Sequence, residues 1–351
     1  MLYGTKNPHG GDVYGTPITL DFSSNVNPFG TPPNVIAAIR RAAALVRQYP
    51  DPYCRALTEA ISAQEGVGES MILCGAGAAE LIYAYCGALQ PQKAMELAPT
   101  FLEYSAAAAH FGAKLLRVPL LAPDFLPDDR LLDALQEEKP DVLFLCTPNN
   151  PTGRLLDHAL LQKALDICLA QGTHVLLDEC FLDFTHGRSA KNLLSQYKNL
   201  LILKAFTKNY ALAGMRVGYC LTENPRLLSQ MAAGSQPWNV SLPAQQAAIA
   251  ALQNPGWITQ AKAMLPTQRE ALSRGLRSLG FTVCPSQANY LLFFAPVGLD
   301  RALQKERIAI RNCENYPGLG SGWYRIAVRL EEENNALIAA MQRAMEDESW
   351  H

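Results

Sequence analysis

The chain has 351 residues, of which 49% are hydrophobic and 18% are charged, and its formal net charge at pH 7 is −2. This composition is typical of a soluble globular protein with a large core, and the length predicts two domains or one large domain with an appendage. The nearly balanced charge excludes a general affinity for nucleic acid or anionic membranes.

No segment of the sequence is typical of an exported or membrane protein. The first residues, MLYGTKNPHGGD, lack the pattern of a signal peptide, and no apolar run reaches the ~18 residues of a membrane span. The nine cysteines are scattered singly, with no pair at a metal-ligand spacing, which indicates reduced core thiols. We therefore expect a cytoplasmic enzyme or binding protein that holds no metal.

The middle of the chain alternates short apolar runs with helical patterns. The predicted strands are Met71–Cys74, Ala94–Leu97, Val142–Cys146, Val175–Leu177, Leu200–Leu203 and Val217–Cys220. The helices predicted between them include Ala78–Leu89, Leu131–Glu138 and Asp157–Ala170. Strands that alternate with helices imply right-handed crossovers and a mostly parallel α/β sheet covered on both faces.

The pattern changes after about residue 255. A long predicted helix, Ile258–Leu279, leads into four predicted strands and a closing helix, and those strands are Phe281–Cys284, Tyr290–Phe294, Ile308–Arg311 and Tyr324–Val328. This order is typical of a smaller α+β domain. We expect the first 45 residues to pack beside it, so that residues 46–254 form a large domain and residues 1–45 and 255–351 form a small one.

Two candidate functional segments follow predicted strands, at the sheet edge where α/β proteins bind ligands. Asp178 ends an apolar strand, where its carboxylate can either cap the next helix or face a cationic ligand. Lys208 lies eight residues before Arg216. A desolvated lysine beside cationic groups becomes a nucleophilic amine, and an arginine fork binds phosphate.

Two further segments at strand ends contain tight turns. The turn Gly75-Ala76-Gly77 precedes a predicted helix, whose first backbone amides can bind a phosphate. Glycine is also common in any tight strand–helix turn, so this signal is weak alone. Asn150 lies in CTPNNPTG, which is first of all a turn signal and also supplies a hydrogen-bond donor.

The four segments in this order predict a site for pyridoxal 5′-phosphate (PLP), with Lys208 as its covalent attachment point and Asp178 facing the pyridinium nitrogen. From His9 to about Arg329 the chain resembles the fold-type-I PLP enzymes of the aspartate aminotransferase superfamily. Within them it resembles the histidinol-phosphate aminotransferase branch, and there the threonine-phosphate decarboxylases of cobalamin biosynthesis. The segments that carry the resemblance are HGG (9–11), DFSSNVNPFG (21–30), QYPDPY (48–53), CTPNNPTG (146–153), LDECFLDF (177–184), QPWNVS (236–241) and IRNCENYPGL (310–319).

The resemblance implies a fold-type-I enzyme with a mostly parallel seven-stranded sheet in its large domain, and a homodimer. Asn150 would contact the ring oxygen of PLP and Phe101 would stack on the ring. The residues that would bind the cofactor phosphate are Gly77, Ala78, Ala79, Thr207 and Arg216. Tyr49 matches a tyrosine that reaches the cofactor phosphate of the neighbouring subunit.

The resemblance also implies how a small phosphorylated amino acid would bind. Arg325 matches the arginine that binds the substrate carboxylate, and Arg311 matches one that binds the substrate phosphate. Planar guanidinium forks suit both anions, although each arginine could instead form a surface salt bridge. The other implied substrate contacts are His9, Gly10, Asn25 and Asn150.

Two positions depart from the pattern of the wider superfamily. Ala205 stands where many relatives have a hydroxyl that binds the cofactor phosphate, and the lost contact is worth roughly 1 kcal/mol. Phe181 stands where aminotransferases usually have a tyrosine on the ring oxygen, which leaves that oxygen to Asn150. Phenylalanine at this position favours the decarboxylase branch.

Decarboxylation and transamination need the same cofactor residues, and the Cα bond held perpendicular to the cofactor ring is the one that breaks. We expect decarboxylation of O-phospho-L-threonine to (R)-1-amino-2-propanol O-2-phosphate, or of O-phospho-L-serine to ethanolamine phosphate. One alternative is a histidinol-phosphate aminotransferase, which Phe181 and the Trp238 motif disfavour. The other is an inactive PLP-binding regulator, a class that usually carries an added DNA-binding domain.

Overall fold

The structure, a computed structural model, describes residues 7–346. Its strands, β1 to β13 in chain order, are Leu20–Asp21, Ile72–Gly75, Lys93–Ala98, Lys114–Pro119, Val142–Cys146, His174–Asp178, Leu200–Ala205, Gly218–Leu221, Thr282–Val283, Tyr290–Phe294, Ile308–Ala309, Arg311–Asn312 and Trp323–Ala327. Its helices, α1 to α12, are Pro33–Ala42, Arg55–Glu65, Ala78–Leu89, Leu102–His110, Arg130–Glu138, His158–Gln171, Phe206–Asn209, Pro225–Gly234, Leu242–Leu252, Gly256–Ser278, Leu299–Lys305 and Glu331–Glu346. Strands and helices therefore alternate through the middle of the chain.

A seven-stranded sheet in the order β2-β8-β7-β6-β5-β3-β4 forms the centre of the molecule. Strand β8 runs antiparallel to both of its neighbours, and the other neighbouring pairs are parallel. Every residue of β5 and β7 is buried, because helices cover both faces of the sheet. The mostly parallel seven-stranded sheet that the resemblance implied is confirmed.

Strand β4 was not predicted from the sequence. It lies at the edge of the sheet, where it pairs only with β3. Its sequence, KLLRVP, contains exposed Lys114 and Arg117, because an edge strand is covered less completely than a central one. It therefore lacks the continuous apolar run that marked its neighbours.

Helix α6 shows how local sequence determines where a helix begins and ends. The Asp157 carboxylate accepts hydrogen bonds from the backbone N–H groups of Ala159 and Leu160, both at 2.9 Å, and so caps the first turn. Gly172 ends the helix with φ of +79°, a conformation that glycine adopts without strain. The predicted helix Asp157–Ala170 is confirmed within one residue at each end.

The C-terminal part contains a four-stranded antiparallel sheet in the order β12-β13-β10-β9. The prediction of one strand over Ile308–Arg311 was wrong, because the chain changes partner at Ile310. Strand β11 pairs in parallel with β1, whereas β12 pairs with β13. The β1–β11 pairing joins the N-terminal segment to the C-terminal part, and α1 packs against α9. The division into two domains stays a prediction.

The interior of the protein is apolar and rich in thiols. All nine cysteines are free and buried, which agrees with the expectation of core thiols. Among residues 7–346, none of the helices combines the length and the apolar character that a membrane span requires.

Candidate active site

A cavity of about 220 Å³ lies where β5, β6 and β7 end, at Cys146, Asp178 and Ala205. Sequence-predicted residues form most of its wall, and these are His9, Gly10, Asn25, Ala78, Ala79, Phe101, Asn150, Asp178, Thr207, Lys208, Arg216, Arg311 and Arg325. The remaining wall residues are Ser23, Ser24, Cys146, Cys180, Phe181, Ala205 and Tyr316. The folded chain thus brings together side chains from both of its ends and from its centre.

Lys208 lies on α7, the short helix that directly follows β7. Its backbone carbonyl accepts a hydrogen bond from the N–H of Asn27 at 2.9 Å, and its Nζ lies 5.7 Å from the centre of the Phe181 ring. Burial, followed by the positive charge of Arg325, lowers the pKa of Lys208 to about 8. The neutral, nucleophilic form of this amine is therefore far more populated near neutral pH than that of an exposed lysine.

Asp178 is the last residue of β6, and hydrogen bonds fix both of its carboxylate oxygens. The Cys180 N–H donates to Oδ1 at 2.8 Å, and the Tyr104 hydroxyl donates to Oδ2 at 2.6 Å. Burial raises the pKa of Asp178, while these two hydrogen bonds act in the opposite direction. A buried carboxylate of this kind is stabilised when a cation is placed against it.

Sequence reasoning missed Tyr104, although a signal for it was present. Tyr104 lies on α4, three residues after Phe101, and the two rings meet edge to face at 5.5 Å. It also stacks on Phe144 at 5.3 Å with 5° between the ring planes. The spacing of three residues places both aromatics on one side of the helix start, so this tyrosine could have been proposed with Phe101.

An anion site lies at the N-terminus of α3. Gly77 precedes the helix with φ of +89°, and a Cβ there would lie 2.5 Å from Nη2 of Arg216. A side chain at this position would therefore displace the guanidinium. Ala78 and Ala79 open the helix and line the cavity beside Arg216. Free helix amides and a guanidinium together favour a phosphate.

Arg311 and Arg325 lie directly opposite each other on β12 and β13. Both residues are buried, at 8% and 7% exposure. Arg325 donates to the side-chain oxygen of Asn150 and, at 2.9 Å, to the carbonyl of Ser23. Its Nε is buried and has no hydrogen-bond partner within residues 7–346. A buried donor without a partner is costly, and an anionic ligand would satisfy it.

Arg311 also has neutral partners, namely the carbonyl of Pro8 and, at 2.8 Å, the side-chain oxygen of Asn315. Its guanidinium lies 5.3 Å from the ring centre of Tyr316, a buried cavity residue that sequence reasoning did not assign. The signal for Tyr316 was its position in IRNCENYPGL. The signal for Ser23 and Ser24 was likewise their position in DFSSNVNPFG.

The N-terminal segment forms one side of the cavity. His9 Nε2 is hydrogen-bonded to the carboxylate of Glu103, and the His9 ring lies 5.7 Å from that of Phe101. At Gly10, a Cβ would lie 2.8 Å from the carbonyl oxygen of Ser23, so the segment lies against the backbone there. Asn25 is 1% exposed.

Two predicted cofactor residues lie outside the cavity wall. Gly77 contributes the turn that places Ala78 and Ala79, as described above. Tyr49 lies on the surface with 79% exposure, and its ring centre lies 4.8 Å from that of Trp238, with 35° between the ring planes. Within one chain, Tyr49 therefore does not contact the cavity, and its action on a neighbouring subunit stays a prediction.

The family model for aminotransferase class I and II matches residues 17–341. The chain belongs to this family.

The similar proteins include enzymes of two activities, decarboxylation and transamination. A threonine-phosphate decarboxylase of Salmonella typhimurium is 36% identical over 93% of this chain and 91% of its own. A chloroplastic histidinol-phosphate aminotransferase of Nicotiana plumbaginifolia is 34% identical over 92% of this chain and 78% of its own. The solved histidinol-phosphate aminotransferase of Clostridium acetobutylicum has a TM-score of 0.86 at 27% identity, and covers 93% of this chain and 99% of its own.

As a member of the aminotransferase class I and II family, the chain has pyridoxal 5′-phosphate as its cofactor, and the residues in the cavity fit it. The anion site at the N-terminus of α3 suits its phosphate, and the amine of Lys208 would suit its aldehyde. Asp178 suits the protonated ring nitrogen, because a cation there would offset the burial of the carboxylate.

Proposed function

We propose that this PLP enzyme decarboxylates O-phospho-L-threonine to (R)-1-amino-2-propanol O-2-phosphate, a step of cobalamin biosynthesis. The observation that carries the proposal is the opposed, buried pair Arg311 and Arg325, whose hydrogen-bond partners are neutral. A substrate with one phosphate and one carboxylate would give each guanidinium an anion. The 36% identity to a threonine-phosphate decarboxylase supports the same reaction.

The bound cofactor supplies an electron sink for the negative charge that CO₂ leaves at the substrate Cα. We assign to Arg325 the binding of the carboxylate, since a planar fork holds that group in one orientation. We assign to Arg311 the substrate phosphate, together with His9, Gly10 and Asn25. Binding both ends of the substrate fixes the direction in which the Cα–carboxylate bond points.

Lys208 is the group that we propose returns a proton to Cα after CO₂ has left. With a pKa of about 8, its Nζ can hold a proton and release it near neutral pH. Asp178 keeps the ring nitrogen of the cofactor protonated, and Tyr104 and the Cys180 N–H hold that carboxylate in place. These roles need no other acid or base from the cavity wall.

Phe181 supports decarboxylation over transamination. Its ring is 6% exposed, meets Tyr290 edge to face at 5.0 Å, and offers no hydroxyl to the cofactor ring oxygen. Tyr290 is not a substitute donor in this arrangement, because its hydroxyl donates to the carbonyl of Asn149 at 2.9 Å. We propose that Asn150 alone contacts the ring oxygen.

The second candidate is a histidinol-phosphate aminotransferase, which the relatives of 33% and 34% identity favour. Histidinol phosphate has a phosphate but no carboxylate, so it would engage only one of the two arginines, whereas its co-substrate 2-oxoglutarate has a carboxylate for each. O-Phospho-L-serine is a closer variant of the proposed substrate. It lacks one methyl group, and a pocket discriminates against such a change by roughly 10- to 200-fold.

The test uses the PLP-loaded protein with each phosphorylated substrate. We expect CO₂ from O-phospho-L-threonine, less from O-phospho-L-serine, and none from a Lys208→Ala variant. Glutamate formed from 2-oxoglutarate and histidinol phosphate would instead identify the aminotransferase. If neither phosphoamino acid releases CO₂, the proposed function is wrong.

A further inference from the structure

The segment QPWNVS, residues 236–241, contacts the turn that precedes α3. Nδ2 of Asn239 donates a hydrogen bond to Oε2 of Glu80 at 2.7 Å. The same oxygen accepts a hydrogen bond from the backbone N–H of Ala76 at 2.5 Å. Glu80 therefore joins the 236–241 segment to the turn 75–77, although neither Glu80 nor Asn239 lines the cavity.

Glu80 lies in the first turn of α3, three residues after Gly77. A carboxylate at this position commonly accepts hydrogen bonds from backbone N–H groups at the helix start. The contact is close, because a Cβ on Gly75 would lie 3.0 Å from Oε2 of Glu80. The Glu80 carboxylate thus lies against the turn 75–77 that leads into the helix opened by Ala78 and Ala79.

The 236–241 segment is itself fixed on its other side. Trp238 has φ of +62°, and its ring contacts that of Tyr49 in a tilted arrangement, with the ring centres 4.8 Å apart. Gln245 donates to the carbonyl of Asp51 at 2.9 Å and to that of Val240 at 3.0 Å. Asn239 is therefore held between residues 49–51 and the helix start.

We propose that Glu80 and Asn239 are positioning residues for the cofactor phosphate. Glu80 orients the turn 75–77 so that the first amides of α3 face the phosphate beside Arg216, and Asn239 keeps the Glu80 carboxylate in place. The donors Ala76 N–H and Asn239 Nδ2 also offset a negative charge that would otherwise repel the phosphate. The inference concerns cofactor binding and does not depend on which reaction the site catalyses.

The test compares the affinity of the apoprotein for PLP in Glu80→Ala, Asn239→Ala and Glu80→Gln. We expect the dissociation constant of PLP to rise about tenfold in Asn239→Ala, which loses one charge-assisted hydrogen bond, and at least as much in Glu80→Ala, which loses two. Glu80→Gln should stay within about threefold of the wild type, since its carbonyl oxygen can accept both hydrogen bonds. The phosphorus NMR signal of the bound cofactor should shift in the alanine variants and return in Glu80→Gln.

The matched control is Asn254→Ala, which removes a half-buried side-chain amide just after α9 and should leave PLP affinity unchanged. Thermal unfolding of apoprotein and holoprotein separates positioning from a general structural role. A positioning role lowers the melting temperature of the holoprotein more than that of the apoprotein. Wild-type PLP affinity in Asn239→Ala and Glu80→Ala, or an equal loss of melting temperature in both forms, overturns the proposal.

If Glu80→Ala fails to fold, Asn239→Asp provides the same test. It places a second carboxylate against Glu80, so PLP affinity should fall further than in Asn239→Ala. Combining Asn239→Asp with Glu80→Gln removes the repulsion and should recover part of the loss. The absence of both effects contradicts the proposed contact.

Discussion

At the scale of single residues, the environment of Lys208 explains its reactivity. The lysine is surrounded by Arg325 and Arg216 and has Asp178 as its nearby carboxylate. Burial disfavours its charged form first, and the neighbouring guanidinium of Arg325 disfavours it further, so its pKa falls from 10.5 to about 8. Deprotonation therefore begins well below the pH at which an exposed lysine releases its proton.

The pH dependence of Lys208 labelling in the apoprotein checks this account. Reaction of Lys208 with trinitrobenzenesulfonate, followed by peptide mass spectrometry, should rise with pH through a midpoint of about 8. Arg325→Gln removes a positive neighbour, so the pKa rises and the midpoint moves to higher pH. Arg325→Lys keeps the charge and serves as the control. An unchanged midpoint in Arg325→Gln would contradict the role of this arginine.

Much of the residue list could be predicted from the sequence, because the ends of buried strands are recognisable and the resemblance supplied the rest. Lys208, Asp178 and Asn150 lie on one cavity for this reason. The partners of these residues could not be predicted. Tyr104 reaches Asp178 across 74 positions of the chain, and such a contact depends on how α4 packs over the sheet.

At the scale of elements, the pairing of β12 with β13 places the two arginines of the cavity opposite each other. A strand ending at Arg311 could be predicted from the sequence, but its partner strand could not. The change of partner at Ile310 therefore could not be predicted, and the same holds for the antiparallel direction of β8. Apolar runs identify central strands well and determine neither direction nor register.

The turn between β2 and α3 carries a prediction at this scale. Gly77→Ala places a methyl group against the Arg216 guanidinium and forces a non-glycine residue to φ of +89°. The guanidinium must move away from the anion site, and we expect the dissociation constant of PLP, followed by absorbance titration, to rise at least tenfold, or about 1.4 kcal/mol.

Gly66→Ala is the matched control for Gly77→Ala. Gly66 ends α2 with φ of +68°, and a Cβ there meets nothing within 4 Å. The substitution should lower stability by roughly 1–2 kcal/mol through backbone strain and leave PLP affinity unchanged. Equal PLP affinities in the two variants would show that the contact with Arg216 does not matter.

At the scale of the whole molecule, the exposed side chains around Tyr49 are candidates for the interface of the homodimer that the sequence resemblance implies. Tyr49 and Tyr53 are 79% and 71% exposed, and Trp238 is 45% exposed. In a symmetric dimer each chain would offer the same surface to the other. The sequence resemblance alone implies that Tyr49 reaches the neighbouring cofactor, so this role needs a test in solution.

Subunit mixing provides that test. Lys208→Ala and Tyr49→Ala are each expected to lose most activity, and dissociating and reassociating the two variants should restore about a quarter of wild-type turnover, because half of the dimers are mixed and each has one intact site. Mixing Lys208→Ala with Arg325→Ala is the control and should restore nothing, since both side chains serve their own chain's cavity. No recovery in the first mixture would place Tyr49 outside the neighbouring site.

The cavity combines residues from two separate sheets. Asp178 ends one strand of the seven-stranded sheet and Lys208 follows another, whereas Arg311 and Arg325 belong to the four-stranded one. Protein engineers can therefore randomise positions around β12 and the N-terminal segment to change which small molecules bind. The residues of the seven-stranded sheet that would bind the cofactor stay unchanged. The variants in such a library should keep their bound cofactor, so screening can concentrate on new substrates.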